Sequence, residues 1–132
     1  MSKVVIEKEL GAIPSKAEME VVDILVLNNI VKKSVKFLKP NRVKGSKTPD
    51  LLMDGNYWEI KSIEKLGKYT LAHAERTGLE QADNLIFDLR KLAIKLEDKA
   101  AREIQKEFEK RKGWRGLLMI VRPGDKVLTF QK

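Results

Sequence analysis

From Ser15 onward, apolar residues return at helical intervals: Met19, Val22, Val26 and Ile30, with Val21 and Leu25 widening the stripe. Ser15 followed three residues later by Glu18 has the spacing of a capping box, so a first helix is predicted over about 16–31. The period then shortens. "SVKFLKP" reads as a short strand stopped by Pro40, and "NRVKGSK" as a basic loop. "DLLMDGNYWEIKSI" is two apolar runs about a tight turn, a hairpin with Gly55-Asn56 as its turn. "TLAHAERTGLEQAD" predicts a second helix weakened by Gly78, and "NLIFDL" has the length and composition of a buried strand. The longest helix follows, "LAIKLEDKAAREIQKEFEKRKG", its stripe running Leu92, Leu96, Ala100, Ile104, Phe108 and its end marked by Gly113. "RGLLMIV" and "KVLTF" close the chain as two strands around Pro123-Gly124-Asp125. The order helix, strand, hairpin, helix, strand, helix, hairpin predicts an α/β (α+β) layered domain with a mixed sheet.

The hairpin is where polarity breaks the pattern. Side chains alternate along a strand, so Glu59 and Lys61 share one face while Trp58 and Ile60 share the other. With the turn at 55–56, Asp50 falls about opposite Lys61 and Leu52 about opposite Glu59. Two carboxylates and an ammonium then converge near one strand end. Such carboxylates suit a hard cation, Mg²⁺ or Mn²⁺. A cation there polarises a phosphate, and a lysine beside it holds water or neutralises developing charge.

Composition narrows the field. The chain has 132 residues, enough for one domain, spanning 1–132 with 1–14 as a loosely ordered arm. Apolar residues make up 42%, sufficient for a core, yet no run approaches the ~20 residues of a membrane span. There is no secretory pattern at the N-terminus. With no cysteine, disulfides and thiolate zinc sites are excluded, and a single histidine excludes a multi-histidine metal site. The formal net charge of +8 favours a polyanionic partner, nucleic acid first.

Pro49-Asp50, eight residues, then Glu59-Ile60-Lys61 resembles the PD-(D/E)XK nuclease motif, whose core places the acids on the second and third strands after a helix. A second resemblance covers about 44–132 and is strongest over 47–90. "KTPDLLMDGNYWEIKS", "GKYT", "EQADNLIFDLR", the charged helix and "GLLMIV…GDKVLTF" look like the C-terminal toxin nucleases of contact-dependent inhibition proteins (CdiA) and related phage-associated domains. That resemblance implies a nuclease acting on tRNA or DNA in the cytoplasm, neutralised by an immunity protein. The chain departs from it in opening on a methionine with no delivery region, which reads as an excised domain or a free-standing relative.

On these residues Asp50 and Glu59 are the expected metal ligands and Lys61 the catalytic partner. Glu18, on the first helix, is either a further acid of the site or only the capping box. Some toxins of this kind instead have a barnase/EndoU/colicin/RelE-like fold and cleave RNA without metal, through the 2′-hydroxyl. For that alternative the general acid–base candidates are Lys61, Lys68, Thr70, His73 and Arg76, with histidine the residue type best suited to proton transfer near neutrality. A non-catalytic nucleic-acid-binding module is a further alternative. Gln81 could orient substrate or water, and Tyr57 and Tyr69 could stack on bases. Arg42, Lys44 and Lys47 before the motif, with Lys65, Lys68 and Arg76 after it, form the expected phosphate-contacting set. The basic run near Lys110 is interleaved with Glu103, Glu107 and Glu109 and reads as a solvated face.

Overall fold

Alternation between strand and helix periods brings every strand beside its sequence neighbour. A computed structural model describes residues 3–40 and 47–132. Its elements are β1 Val5–Lys8, α1 Lys16–Leu27, β2 Ser34–Phe37, β3 Leu51–Met53, β4 Asn56–Ser62, α2 Thr70–Leu79, β5 Asn84–Asp88, α3 Ile94–Lys110, β6 Leu118–Arg122 and β7 Lys126–Phe130. Among the described residues these strands form one mixed sheet in the order β1-β2-β3-β4-β5-β6-β7. Pairs β1–β2, β4–β5 and β5–β6 are parallel, each spanned by a helix; β2–β3, β3–β4 and β6–β7 are antiparallel. This is an α+β domain, and the run α1, β2, β3, β4, α2, β5 is the helix–three strands–helix–strand order that the motif implied.

The sheet is greasy on both faces. On one, Val21, Val22, Ile24 and Leu25 of α1 pack with Val35, Leu51, Trp58, Ile86 and Val121. On the other, α2 and α3 cover Leu85, Phe87, Leu118 and Ile120, and Phe108 meets Trp114 edge to face at 4.8 Å between centroids. Gly78 lets α2 sit close: a Cβ there would lie 2.9 Å from Leu85 and 3.4 Å from the Lys61 stem.

Three features differ from expectation. The first helix stops at Leu27, not near residue 31, because Asn28 caps it and Asn29 turns left-handed with φ 58°. The expected loose N-terminal arm contains β1, which pairs with β2 at the sheet edge although all four of its residues are exposed. The hairpin turn is Asp54-Gly55, both with positive φ (48° and 87°), rather than Gly55-Asn56. Asp54 earns that position twice: its carboxylate also accepts the backbone N–H groups of Lys32, Lys33 and Ser34 at 2.8, 2.7 and 3.0 Å. Among the described residues no helix is long and apolar enough to cross a membrane.

Candidate active site

The one-residue shift of the turn changes which side chains face each other. β3 and β4 pair Leu51 with Trp58, Leu52 with Tyr57 and Met53 with Asn56. Continued by one step, that register puts Asp50 opposite Glu59, not opposite Lys61. Asp50 is fixed by its own backbone: its N–H donates to the Trp58 carbonyl and its carbonyl accepts from Leu38, both at 3.0 Å. Its side chain is fixed as well, Oδ2 accepting the Ile60 N–H at 2.8 Å.

Glu59 lies on the face of β4 that α2 and α3 cover, beside Leu85 in the parallel ladder, while Lys61 lies beside Phe87. Strand alternation therefore placed these two correctly. The Lys61 ammonium is 3.8 Å from the Glu59 carboxylate, and Glu59 Oε1 is buried with no hydrogen-bond partner. Burial raises the Glu59 carboxyl to about 8, reinforced by the Asp50 charge and a hydrogen bond to Asp50, and only partly offset by Lys61. Burial raises Asp50 too, opposed chiefly by the Ile60 N–H. Both carboxyls therefore hold their protons above the ordinary carboxylate range.

A cavity of about 230 Å³ opens on both acids and is also lined by Ser15, Glu18, Ser62 and Asp88. Glu18 completes the capping box, Oε1 accepting the Ser15 N–H at 3.0 Å, and from that position its charge adds to the rise in the pKa of Asp50 and Glu59. Asp88 was missed from the sequence. It ends a buried strand, is 1% exposed, and takes Arg90 in a fork at 2.9 and 2.8 Å. Arg90 reaches on to the Ala17 carbonyl at 3.2 Å, tying the start of α1 to the sheet end where the acids lie. The one available signal was an acid and an arginine closing the otherwise apolar run "NLIFDLR". Among the described residues, no three His, Cys, Asp or Glu side chains stand close enough to enclose an ion by themselves.

The other candidates are placed elsewhere. Thr70 Oγ1 accepts the Gly67 N–H at 2.9 Å, a turn contact at the start of α2. His73 is exposed, its Nδ1 3.0 Å from Arg76, and neither residue lines the carboxylate cavity. Gln81 accepts both the N–H and hydroxyl of Thr48 through Oε1, at 2.6 and 3.0 Å, so its oxygen pins the segment before Asp50 and is not free to orient water. Lys47, Lys65 and Lys68 are exposed, Lys68 lying over the Tyr69 ring at 5.4 Å. Arg42 and Lys44 fall outside the described residues.

The family model for the contact-dependent growth inhibition CdiA C-terminal domain matches residues 47–125, more than half of the chain and the whole of the acid-bearing hairpin. The chain belongs to this family. Its fold is similar to that in a CdiA-CT/CdiI toxin and immunity complex from Burkholderia pseudomallei, with a TM-score of 0.56 and 13% identity over 97% of this chain and 99% of the other. No curated protein sequence matches the chain. This member of the CdiA C-terminal toxin family therefore keeps the family's fold, with Asp50, Glu59 and Lys61 inside the matched segment.

Proposed function

We propose that this CdiA C-terminal domain is a divalent-metal-dependent nuclease that hydrolyses phosphodiester bonds of tRNA or DNA in the cytoplasm of a target cell. The observation that carries this reading is the pair of facing carboxyls, Glu59 buried and Asp50 half-buried, with Lys61 at 3.8 Å from Glu59. Burying two acids side by side costs several kcal/mol unless something offsets their repulsion. Here Lys61 offsets it only in part, and Glu59 Oε1 lacks a hydrogen-bond partner among the described residues. A hard cation suits such a pair: Mg²⁺ is commonly held by one or two carboxylates, with water and substrate phosphate completing its shell. Asp50 and Glu59 would hold it, and the bound ion supplies Lewis-acid polarisation of the phosphate.

The protein's own residues supply the rest. The backbone contacts at Asp50 and the Thr48–Gln81 clamp hold one carboxylate against the other. The Lys61 ammonium, half-buried and steered by α2 packing at Gly78, offsets negative charge developing on the phosphoryl oxygens. Exposed Lys47, Lys65 and Lys68 flank the hairpin and suit contacts to phosphates on either side. The likeness to a toxin in complex with its immunity protein supports a cognate immunity partner for this chain as well.

The test is incubation of the purified chain with total tRNA and with plasmid, with and without EDTA. Cleavage of at least one substrate that stops with EDTA and returns with Mg²⁺ or Mn²⁺ is the expected result. Absence of cleavage under all conditions refutes the nuclease reading, and full activity in EDTA refutes its metal dependence.

A further inference from the structure

Beside the carboxylates lies a second cavity, of about 430 Å³, which the hydrolytic chemistry does not use. It begins where the Asp50 segment begins: Thr48 and Pro49 line it, and Gln81 faces them. Because the Thr48 N–H can only donate, the atom it meets at 2.6 Å must be the Gln81 oxygen. The Gln81 amide nitrogen is thereby fixed in orientation, and it makes no hydrogen bond among the described residues. Leu38 and Pro49 provide apolar wall, Lys39 and Lys47 provide cations, and Glu9 and Asp83 also reach the rim as acids. Tyr57 also lines the cavity, with an aromatic side chain that is 54% exposed. Tyr57, Glu59 and Lys61 occupy alternate positions of one strand, so the ring stands about 7 Å along the same face from the acid.

An exposed ring, an apolar wall, a fixed pair of amide donors and cations are the elements that hold an unpaired nucleotide: the base stacks, its edge takes the amide hydrogens, and its phosphate meets lysine. The volume lies within the range of sites for molecules of that size. We propose that this cavity is a nucleotide subsite in which one unpaired base of the substrate stacks on Tyr57 and accepts hydrogen bonds from Gln81, selecting single-stranded or looped nucleic acid. The proposal rests on the nuclease reading for its purpose, but its physical content is binding and can be measured without turnover.

The experiment uses the full chain carrying Glu59→Gln, isotopically labelled and titrated with adenosine 5′-monophosphate, cytidine 5′-monophosphate and inorganic phosphate. The nucleotides are expected to shift the Gln81 side-chain amide, Thr48 and Tyr57 signals, while phosphate leaves Tyr57 and the Gln81 amide unmoved. A fluorescent single-stranded oligonucleotide should bind more tightly than a duplex of equal length. Tyr57→Leu should weaken single-strand binding roughly tenfold or more, and Tyr57→Phe should preserve it, since the ring and not the hydroxyl stacks. Phosphate reproducing the nucleotide shifts, a silent Gln81 amide, or Tyr57→Leu binding single strands as tightly as the parent each overturns the subsite. Subsite binding by a chain whose unmutated form cuts nothing removes the nuclease reading and leaves the subsite standing. Cleavage with no nucleotide response at Tyr57 does the reverse.

Discussion

The Glu59 carboxylate lies 3.8 Å from the Lys61 ammonium, two positions along one face of β4, yet its proton is held up to about pH 8. Burial and the adjacent Asp50 outweigh the lysine, so Glu59 is largely neutral at pH 7 in the protein as it stands. A neutral carboxamide is then a close match in shape and charge. Glu59→Gln should leave the thermal midpoint unchanged or slightly raised while lowering phosphodiester cleavage by at least about a hundredfold, the scale typical of losing a catalytic group. Melting curves and cleavage rates on the same preparation check both halves; a Gln variant that still cuts at the parental rate removes Glu59 from the chemistry.

How much of this site the sequence disclosed follows from how local each relationship is. Glu59 and Lys61 share a face by strand alternation alone, which needs only two residues and was legible. Their relation to Asp50 depends on which of two overlapping turn signals, Asp54-Gly55 or Gly55-Asn56, closes the hairpin. The former does, because Asp54 satisfies three backbone N–H groups of the preceding loop, a tertiary gain invisible in a six-residue window. Shifting the turn by one residue moved Asp50 from Lys61 to Glu59. The strand β1 carries no alternation, being exposed at every position, so only its pairing with β2 reveals it. The Asp88–Arg90 fork and its reach to α1 link residues 73 apart, beyond any periodicity.

Asp54 carries a stability prediction of its own. Desolvation alone would raise its carboxyl, but the three N–H donors and Lys33 outweigh it and hold the pKa below the ordinary value. A depressed folded pKa contributes stability above the unfolded value, near 3.9, which is lost as pH falls through the folded one. Asp54→Ala strands the donors of Lys32, Lys33 and Ser34 and should cost about 1–3 kcal/mol at neutral pH. Asp54→Asn keeps the turn geometry and recovers part of it. Chemical denaturation of the three proteins at pH 7 decides the matter; equal midpoints would show that solvent satisfies those donors equally well.

Glu75 makes the opposite pH dependence. It is fully buried on α2, near Arg111 at 3.6 Å, and burial raises its carboxyl to about 7, with Arg111 lowering it and Glu107 adding to the rise. Between about pH 4.5 and 7 the folded state holds a proton that the unfolded state has released. Folding stability from this group is therefore full at the acid end and lost as pH rises through 7, by about 3 kcal/mol in all. Glu75→Gln should flatten that decline, so that the difference in unfolding free energy between variant and parent grows from pH 5 to pH 8. A pH-independent difference would mean that Glu75 is ionised throughout and fully paired with Arg111.

The final prediction sets the carboxylate site against the single histidine. His73 is exposed on α2, engaged with Arg76 at 3.0 Å, and does not line the cavity that holds Asp50 and Glu59. If the acids carry the reaction, His73→Ala should lower the cleavage rate by less than about tenfold. As a general acid or base it would cost ~10²–10⁴. The chemistry of the products gives a second, independent readout. Attack by water on phosphorus can cut DNA as well as RNA, whereas attack by the ribose 2′-hydroxyl cannot act on DNA and leaves a 2′,3′-cyclic phosphate. The expected combination is an active His73→Ala variant, inhibition by EDTA, and no cyclic phosphate on RNA fragments analysed by mass spectrometry. A cyclic end together with an inactive His73→Ala variant would transfer the catalysis from β4 to α2.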